Sequence, residues 1–177
     1  MIKMIDKRKT ENLIYELLLA LGENPEREGL KDTPMRVSNM LCEIFEKDEK
    51  ETESFKKVFK EDFISDGYVQ VRDIPFYSFC EHHMLPFRGV AHIKYKPKST
   101  FVIGISKLAR IVDYFSKGLQ VQERITSKVA DFIFSNFPVK GVEVTMEAEH
   151  LCMTIRGAKS VGSNTKTISS LGSLEDD

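Results

Sequence analysis

The sequence predicts an α+β domain preceded by a helical segment, and three patterns in the chain support that fold class. Helical periodicity occupies about the first 45 residues, and four later segments have the character of strands, three of them with period-2 alternation. Two further helical patterns separate the first pair of those segments from the second. Strand pairs that are adjacent in the chain favour antiparallel hairpins over parallel βαβ units. The predicted order is therefore helix, helix, strand, strand, helix, helix, strand, strand.

The composition is that of an ordinary globular protein. The chain has 177 residues, of which 41% are hydrophobic and 30% charged, so it can bury a core without disulfides. Its net charge of −1 argues against a broad charged surface for nucleic acid or membrane. Three cysteines form no even disulfide framework, and we find neither a membrane-length apolar run nor a secretory leader. We therefore expect a cytoplasmic protein with no nucleic-acid or membrane partner.

Two amphipathic helices are expected near the N-terminus. Thr10–Leu21 places its apolar residues on one face, and Gly22 is a natural stop. Thr33-Pro34 has the form of an N-cap followed by proline, which predicts the start of a second helix. Cys42, in this helix, has no histidine near it in sequence and is interpreted as a packing residue. The charged run Lys47–Glu53 is interpreted as a solvated helix end or linker.

The first predicted hairpin combines Tyr68–Ile74 with Val90–Tyr95, a segment that alternates and is followed by a proline. Between these strands lies the sequence Cys80-Glu81-His82-His83, on the kind of connection that often carries binding residues. His92, on the alternating strand, is interpreted as a structural or surface histidine.

Two helices and a second hairpin complete the predicted domain. Ser106 is expected to cap a helix that ends at Gly118, and another helix runs from about Gln120 to Pro138. Residues 142–148 alternate strictly and the alternation resumes over 151–155, which predicts an antiparallel hairpin with its tip near His150. From residue 160 the tail is rich in serine, threonine and glycine, and no element is predicted there.

Cysteine and histidine gather in two short clusters that are far apart in the chain. Zinc binds cysteine thiolate and histidine nitrogen, and a catalytic zinc keeps three protein ligands and an open fourth position. Cys80 and His83 have the C-x-x-H spacing with which one tight turn can supply two ligands, and Cys152 can supply the third. His82 and His150 would then lie beside the metal as unligated histidines, which suits proton transfer.

Two other interpretations stay open at this point. One is a structural zinc that stabilises the fold without chemistry; its four ligands would be Cys80, His83, His150 and Cys152. The other is no metal at all, because short cysteine and histidine spacings also occur by chance. Spacing alone favours a metal over none, and the spare His82 slightly favours catalysis over a structural role.

A second set of residues suggests a polyphosphate and a nucleobase as ligands. The helix N-terminus expected at Ser106 offers free amides and a favourable dipole, and Lys107 and Arg110 lie one turn apart beside it. Arg156 lies in the last predicted strand, and three such cations would suit a triphosphate. Glu123, in the first turn of the next helix, could accept two hydrogen bonds from guanine. Taken singly, these signals also fit solvated charges and a favourable helix start.

Together these segments resemble GTP cyclohydrolase I, from about Gly29 to Gly172. Four ordered motifs carry the resemblance, and a further match lies at Asp32-Thr33-Pro34 with Arg36. The four motifs are Phe76–Phe87 with its Cys-Glu-His-His, Val102–Val112, Gln120–Arg124, and His150–Met153 leading to Arg156-Gly157.

The resemblance implies a tunnelling fold (T-fold), in which small antiparallel sheets from several subunits close into an oligomeric β-barrel with helices outside. Residues 61–177 would form this catalytic domain, with antiparallel hairpins flanking two helices, and residues 1–60 an N-terminal helical segment. The family forms a homodecamer of two pentameric rings, with active sites at subunit interfaces. A related fold carries a nitrile reductase that uses a cysteine nucleophile and no zinc, and the two metal-type clusters argue against that class.

The resemblance also implies the reaction and the residues that perform it. The family converts GTP and water to 7,8-dihydroneopterin triphosphate and formate, the first step of tetrahydrofolate and other pterin synthesis. Cys80, His83 and Cys152 would bind catalytic zinc, and His82 and His150 would be the catalytic acids and bases. The substrate-binding residues would be Glu123 and Gln122 at guanine and, at the triphosphate, Ser106, Lys107, Arg110, Arg156 and Arg36.

Overall fold

The computed structural model describes residues 4–61, 67–98 and 100–175. The chain forms two compact units, residues 1–49 and residues 50–177. Residues 50–60, which the sequence analysis places in the N-terminal segment, belong by their contacts to the second unit. Over the described ranges, no helix is both long enough and apolar enough to cross a bilayer.

The first unit is built on a pair of helices, α1 (Lys7–Ala20) and α2 (Thr33–Phe45). The Asp6 side chain accepts a hydrogen bond from the Lys9 backbone N–H at 3.0 Å, so α1 begins three residues before the predicted start. Ser38 is fully buried, and its hydroxyl donates to the Lys7 carbonyl at 3.1 Å. This bond ties α2 to the start of α1.

The second unit contains two sheets and four helices within the part of the chain that is described. The helices are α3 (Glu51–Phe55), α4 (Ile105–Ser116), α5 (Gln122–Asn136) and α6 (Leu151–Thr154). The strands are β1 (Val58–Lys60), β2 (Val69–Cys80), β3 (Pro86–Pro97), β4 (Phe101–Ile103), β5 (Leu119–Gln120), β6 (Val139–His150) and β7 (Thr165–Gly172).

The larger sheet has the strand order β5-β2-β3-β6-β7, and β1 pairs with β4 in a small sheet of its own. Neighbouring strands of the larger sheet are antiparallel except β2 and β5, which are parallel, so the sheet is mixed. The predicted α+β class is confirmed.

The core lies between one face of the larger sheet and the helices α4 and α5. α4 packs on β2, and α5 packs on β6 and β7. The opposite face is polar, and Lys166 of β7 pairs there with Glu147 of β6 at 3.1 Å. One covered and one polar face explain the alternation along the strands. Fully buried residues of this core include Ile93, Leu108, Ile111, Val112, Ile125, Val129, Ile133, Val144 and Met146.

The prediction of the last hairpin is wrong in its second strand. Residues 151–155, predicted as a strand, lie mostly in α6, and the antiparallel partner of β6 is β7, within the serine- and threonine-rich tail. The positions of β7 that face the protein carry Thr165, Thr167, Ser169 and Leu171, whereas Ile168 points outward and is 59% exposed. Because polar and apolar residues do not alternate in step with burial, the period-2 signal is missing there.

The first hairpin is longer than predicted. β2 extends to Cys80 and β3 begins at Pro86, so Cys80 ends a strand and only residues 81–85 connect the two. A β-bulge interrupts β2, where Asp73 has φ 58° and donates its N–H to His92 Nδ1 at 3.2 Å. His92 therefore has the structural role that the sequence analysis favours.

Tyr95 makes a buried polar contact that joins β3 to β4. Its side chain is 1% exposed, and its hydroxyl accepts a hydrogen bond from the Ile103 N–H at 3.0 Å. The bond lies immediately before the start of α4 and supplies an acceptor for a buried backbone donor.

We predict that Tyr95→Phe lowers the free energy of unfolding by about 1–3 kcal/mol, because the Ile103 N–H keeps its burial and loses its acceptor. Urea denaturation measures the change. Tyr77→Phe, at a position that is 69% exposed, is the matched control and should change stability by less than about 0.5 kcal/mol. Equal stabilities of the two variants would contradict the role given to Tyr95.

Candidate active site

A tight turn between β2 and β3 presents the first half of the predicted metal site. The Cys80 N–H donates to the Leu85 carbonyl at 2.8 Å, and the Met84 N–H donates to the Cys80 carbonyl at 2.9 Å. Met84 adopts a left-handed conformation with φ 53°, which helps to reverse the chain over a short span. The turn brings the His83 ring next to the Cys80 side chain.

The second half of the site comes from the chain after β6. β6 ends at His150, so Cys152 lies in the short helix α6 and not in a strand. In the sheet, Phe79 of β2 pairs with Pro86, and Phe87 pairs with His150 of β6. The end of β2 and the start of α6 therefore meet at the same end of the sheet.

Cys80, His83 and Cys152 form one group in space. Their ligand atoms, two sulfurs and one ring nitrogen, all lie within 4.8 Å of one another. Cys80 is buried, Cys152 is half-buried and His83 is exposed, so the group is closed toward the core and open toward solvent. These residues could hold a metal ion, and two thiolates with one imidazole are a donor set that zinc accepts from three protein ligands.

The chemistry of the two thiols also fits a metal. Burial raises the pKa of the Cys152 thiol, as does its hydrogen bond with Cys80, while the nearby Arg156 charge has the opposite effect. A bound divalent cation favours the thiolate form and reverses this preference. A soft, thiolate-binding ion such as zinc suits these residues better than an oxygen-seeking ion such as magnesium.

His150 does not belong to the metal-type group. Its Nε2 lies 2.9 Å from Gln122 Oε1, and its ring stacks on Phe87 with the centroids 4.4 Å apart. Burial lowers the pKa of the His150 imidazole, and the Glu123 charge partly opposes that shift. The four-ligand arrangement that the sequence left open is therefore not formed by the described residues.

The Gln122 side chain lies inside the protein and is 1% exposed. Its Nε2 lies 2.9 Å from the carbonyl oxygens of Met146 and Thr165 and 3.1 Å from Thr167 Oγ1. The polar atoms of this side chain are thus engaged within the fold, and its contact with guanine stays a prediction. Glu123, the next residue, is exposed in the first turn of α5.

Two more of the predicted residues lie beside the metal-type group. His82 is exposed, and its Nδ1 is 3.6 Å from Cys80 Sγ. Arg156 follows α6, so its predicted place in a strand is wrong, and its Nη1 lies 2.7 Å from His83 Nε2. Because a guanidinium only donates, His83 Nε2 accepts this hydrogen bond.

An ion pair that was not predicted joins the turn that carries Cys80 and His83 to α5. Arg124 donates to the two carboxylate oxygens of Glu81 at 2.7 and 3.3 Å, and this bond holds the pKa of Glu81 below its usual value. The Glu81 N–H also donates to the Gln120 carbonyl at 3.0 Å. Both charged residues lie inside motifs that carried the family resemblance, which is the signal that could have found them.

A cationic cluster, which we call the α4 cations, consists of Lys57, Lys107 and Arg110. Lys107 Nζ donates to the Lys57 carbonyl, and the ammonium groups of Lys57 and Lys107 lie 5.9 and 5.4 Å from the Phe59 ring centroid. Burial lowers the pKa of Lys107, and the charges of Lys57 and Arg110 add to that shift. Lys57 was not predicted as a member of this cluster, because it lies 50 residues before Lys107 in the chain.

The remaining predicted substrate contacts differ in how the structure places them. Gly104 is the N-cap of α4, so Ser106 lies in the first turn, and the prediction that it caps the helix is wrong. Ser106 still lies at the amide-rich end of α4 beside Lys107. Arg36 lies in α2 of the first unit, where it is exposed and pairs with Asp32 at 3.2 Å.

Comparison with known proteins decides the family. Residues 10–177 match the family model described as GTP cyclohydrolase I. The chain belongs to the GTP cyclohydrolase I family. The resemblance on which the sequence analysis relied is thereby confirmed, and so is the prediction that the chain is an enzyme.

Curated members of the GTP cyclohydrolase I family match nearly the whole chain. A GTP cyclohydrolase 1 of Caldanaerobacter subterraneus is 51% identical over 164 residues, which cover 93% of this chain and 87% of that protein. The GTP cyclohydrolase 1 of Acetivibrio thermocellus is 48% identical over 98% of this chain and 92% of its own. One from Streptococcus agalactiae is 50% identical with the same coverages.

The fold also resembles a solved structure outside the GTP cyclohydrolase I family. The structure is described as the archaeosine synthase QueF-Like in the apo form, and it superposes with a TM-score of 0.51 at 14% identity. The match covers 63% of this chain and 99% of the other. At this identity the likeness concerns the fold alone.

The metal-type group of this family member leads to a direct prediction. Cys152→Ser should weaken zinc binding by about 100-fold or more, because replacing a ligand costs more than the roughly 10–100-fold that loss of an outer-sphere partner costs. Zinc content after dialysis against a weak chelator measures the effect. Cys42→Ala, which removes a buried thiol of α2, is the control and should leave zinc content unchanged. Zinc retained by Cys152→Ser at the level of the unaltered protein would show that Cys152 is not a ligand.

Proposed function

We propose that the protein converts GTP and water to 7,8-dihydroneopterin triphosphate and formate, and that the reaction depends on zinc. The observation that supports this most is the convergence of Cys80, His83 and Cys152 from two distant segments in a chain of the GTP cyclohydrolase I family. The reaction would be the first step of tetrahydrofolate and other pterin synthesis, and it would take place in the cytoplasm.

The first half of the proposed reaction opens the imidazole ring of guanine. Zinc held by Cys80, His83 and Cys152 would supply the Lewis acidity that activates water at neutral pH for attack on C8. His82 is exposed beside Cys80 and is the proposed donor of a proton to N7 as water adds to C8. One bond from C8 to a ring nitrogen then breaks, which leaves C8 as a formamide on the other nitrogen. A second water hydrolyses this formamide and C8 leaves as formate; one water is returned when the freed amine later condenses with the opened sugar, so the reaction consumes one water overall.

The second half rearranges the sugar. The ribose opens, rearranges and closes again onto the freed amine, and each of these steps needs a proton moved at a sugar oxygen. His150 is the proposed acid and base for these steps, because the Gln122 contact and the Phe87 stack hold its ring in one orientation.

Substrate binding is assigned to two regions. Glu123 would accept hydrogen bonds from the guanine edge, with Gln122 beside it. The α4 cations concentrate positive charge at a helix N-terminus, which suits a triphosphate. Holding the phosphates far from C8 would position the reacting ring. The proposed phosphate contacts are Ser106, Lys107, Arg110, Arg156, Arg36 and, added from the structure, Lys57.

For the assembly we propose a tunnelling-fold homodecamer of two pentameric rings, in which sheets of several subunits close into a barrel and active sites form between subunits. The support within one chain is that β7, eight residues long, lies at the edge of the larger sheet. An edge strand presents backbone groups that can pair with a second copy.

Incubation of zinc-loaded protein with GTP tests the reaction. We expect formate together with a pterin absorption band, both lost on chelation and restored by zinc. Neither product in the presence of stoichiometric zinc would overturn the proposal and favour a zinc-stabilised binding module.

The variant His150→Ala separates the two halves of the reaction. It should keep its zinc, still release formate, and lose pterin formation by about 100-fold or more, since general acid–base catalysis contributes on that scale. His92→Ala, at the structural histidine of β3, should keep both products. Full pterin formation by His150→Ala would contradict the role given to His150.

Charge removal tests the phosphate contacts. Lys107→Gln and Lys57→Gln should each raise the KM for GTP about tenfold, because each removes roughly 1.4 kcal/mol of binding to an anion. Lys60 is an exposed lysine at the end of β1, the strand that follows Lys57. The variant Lys60→Gln is the control and should leave the KM for GTP unchanged. Unchanged KM in all three variants would place the triphosphate elsewhere.

Sedimentation analysis tests the assembly. The proposal requires a particle with ten times the 20.3 kDa mass of the chain. A stable monomer that turns over GTP would contradict active sites shared between subunits.

A further inference from the structure

The orientation of the Gln122 amide is fixed by the atoms around it. Its Nε2 lies 2.9 Å from two backbone carbonyl oxygens, those of Met146 and Thr165. Carbonyl oxygens only accept, so the NH2 group of the amide must face them. If the amide were turned over, its own oxygen would lie against the two carbonyl oxygens. None of these three oxygens would then have a hydrogen-bond donor.

Two threonine hydroxyls support the same orientation of the Gln122 amide. Thr126 Oγ1 donates to the backbone carbonyl oxygen of Gln122 at 2.8 Å and lies 2.6 Å from Thr167 Oγ1. Because a hydroxyl has one proton, Thr167 must be the donor in the contact between the two threonines. The oxygen of Thr167, 3.1 Å from Gln122 Nε2, can then share one of the two amide protons with a carbonyl oxygen.

The position of the proton on His150 follows from this orientation. With the NH2 group directed at β6 and β7, Gln122 Oε1 faces His150 Nε2 at 2.9 Å. An amide oxygen has no proton to give, so Nε2 must carry the hydrogen. Phe87 lies on the ring with an angle of 6° between the planes, and this stack opposes rotation of the ring away from Gln122.

We infer that Gln122 is a positioning residue that holds His150 in the Nε2–H tautomer, so that Nδ1 is the nitrogen that exchanges a proton with the substrate. The catalytic part of this inference rests on the proposed function, whereas the tautomer follows from the hydrogen bonds alone. Among the described residues, Nδ1 has no hydrogen-bond partner, which leaves it available to a ligand.

The inference gives the side chain of Gln122 a different task from the predicted contact with guanine. To reach a base, this side chain would have to leave a site in which it is 1% exposed and give up its contacts to β6, β7 and His150. Glu123 is exposed in the same helical turn and can accept from the base without such a change.

Nitrogen-15 magic-angle-spinning NMR of the zinc-loaded protein, labelled only at histidine, tests the tautomer. The chain has four histidines, and the His150→Gln variant assigns the signals of His150. We expect Nε2 to show the shift of a protonated ring nitrogen, with a proton signal that is slow to exchange, and Nδ1 the shift of an unprotonated one. A protonated Nδ1 with a bare Nε2 would overturn the inference.

The variant Gln122→Leu tests the positioning role. Its leucine has no acceptor, so the Nε2 proton should exchange with water and its resolved signal should disappear. In turnover, kcat for pterin formation should fall about tenfold or more while KM for GTP changes less than about twofold, because the loss concerns the chemical step and not binding. Lys128→Gln changes an exposed side chain of the same helix and none of the contacts of Gln122. It is the matched control and should retain the signal and kcat.

The outcomes separate this inference from the proposed function. A raised KM with unchanged kcat in Gln122→Leu would assign its side chain to substrate binding and overturn the positioning role. A protein that shows the expected spectrum and exchange behaviour but makes no pterin would support the role of Gln122 in holding the tautomer and refute the proposed reaction. A Gln122→Leu spectrum identical with that of the unaltered protein would overturn the inference even if the reaction is as proposed.

Discussion

The register of β3 against its two neighbours determines where the chemistry of this protein lies. Pairing with β2 places Cys80 at one end of the sheet, and pairing with β6 places His150, and therefore Cys152, at the same end. A slip of one residue would turn every side chain of β3 to the other face and separate the two halves of the metal-type group. This pairing of β3 with β6 requires glycine at position 89, because a Cβ there would lie 1.8 Å from the Glu147 carbonyl oxygen. Close approach of β3 and β6 thus depends on a residue without a side chain.

A second constraint is the buried polar network around Gln122. One amide connects α5 with β6, β7 and a histidine, at a site that water barely reaches. Such networks are costly when a single partner is missing and specific when all are present. The turn that carries Cys80 and His83 is fixed to the same helix from the outside by the Arg124–Glu81 pair. The first turn of α5 therefore positions two parts of the candidate site, the turn that carries Cys80 and His83 and the ring of His150.

Local patterns predicted much of the fold and the metal-type group, and tertiary contacts explain what they missed. The C-x-x-H spacing indicated Cys80 and His83, because one turn is enough to bring both side chains together. β7 was missed because its inward positions are mostly hydroxyl residues, so its partners, and not its own periodicity, make it a strand. Lys57 and the Arg124–Glu81 pair were missed because each contact joins residues more than 40 positions apart. Periodicity carries no information about such pairs.

Loss of β7 by proteolysis would not be detected from the metal content of a preparation. β7 supplies the Thr165 carbonyl and the Thr167 hydroxyl that help to orient Gln122, whereas all three metal-type residues precede it in the chain. Protease trimming before residue 165 would thus leave Cys80, His83 and Cys152 in place while it releases the amide that governs His150. A full complement of metal is then no guarantee of a competent enzyme, and the mass of the C-terminal peptide is the better criterion of quality.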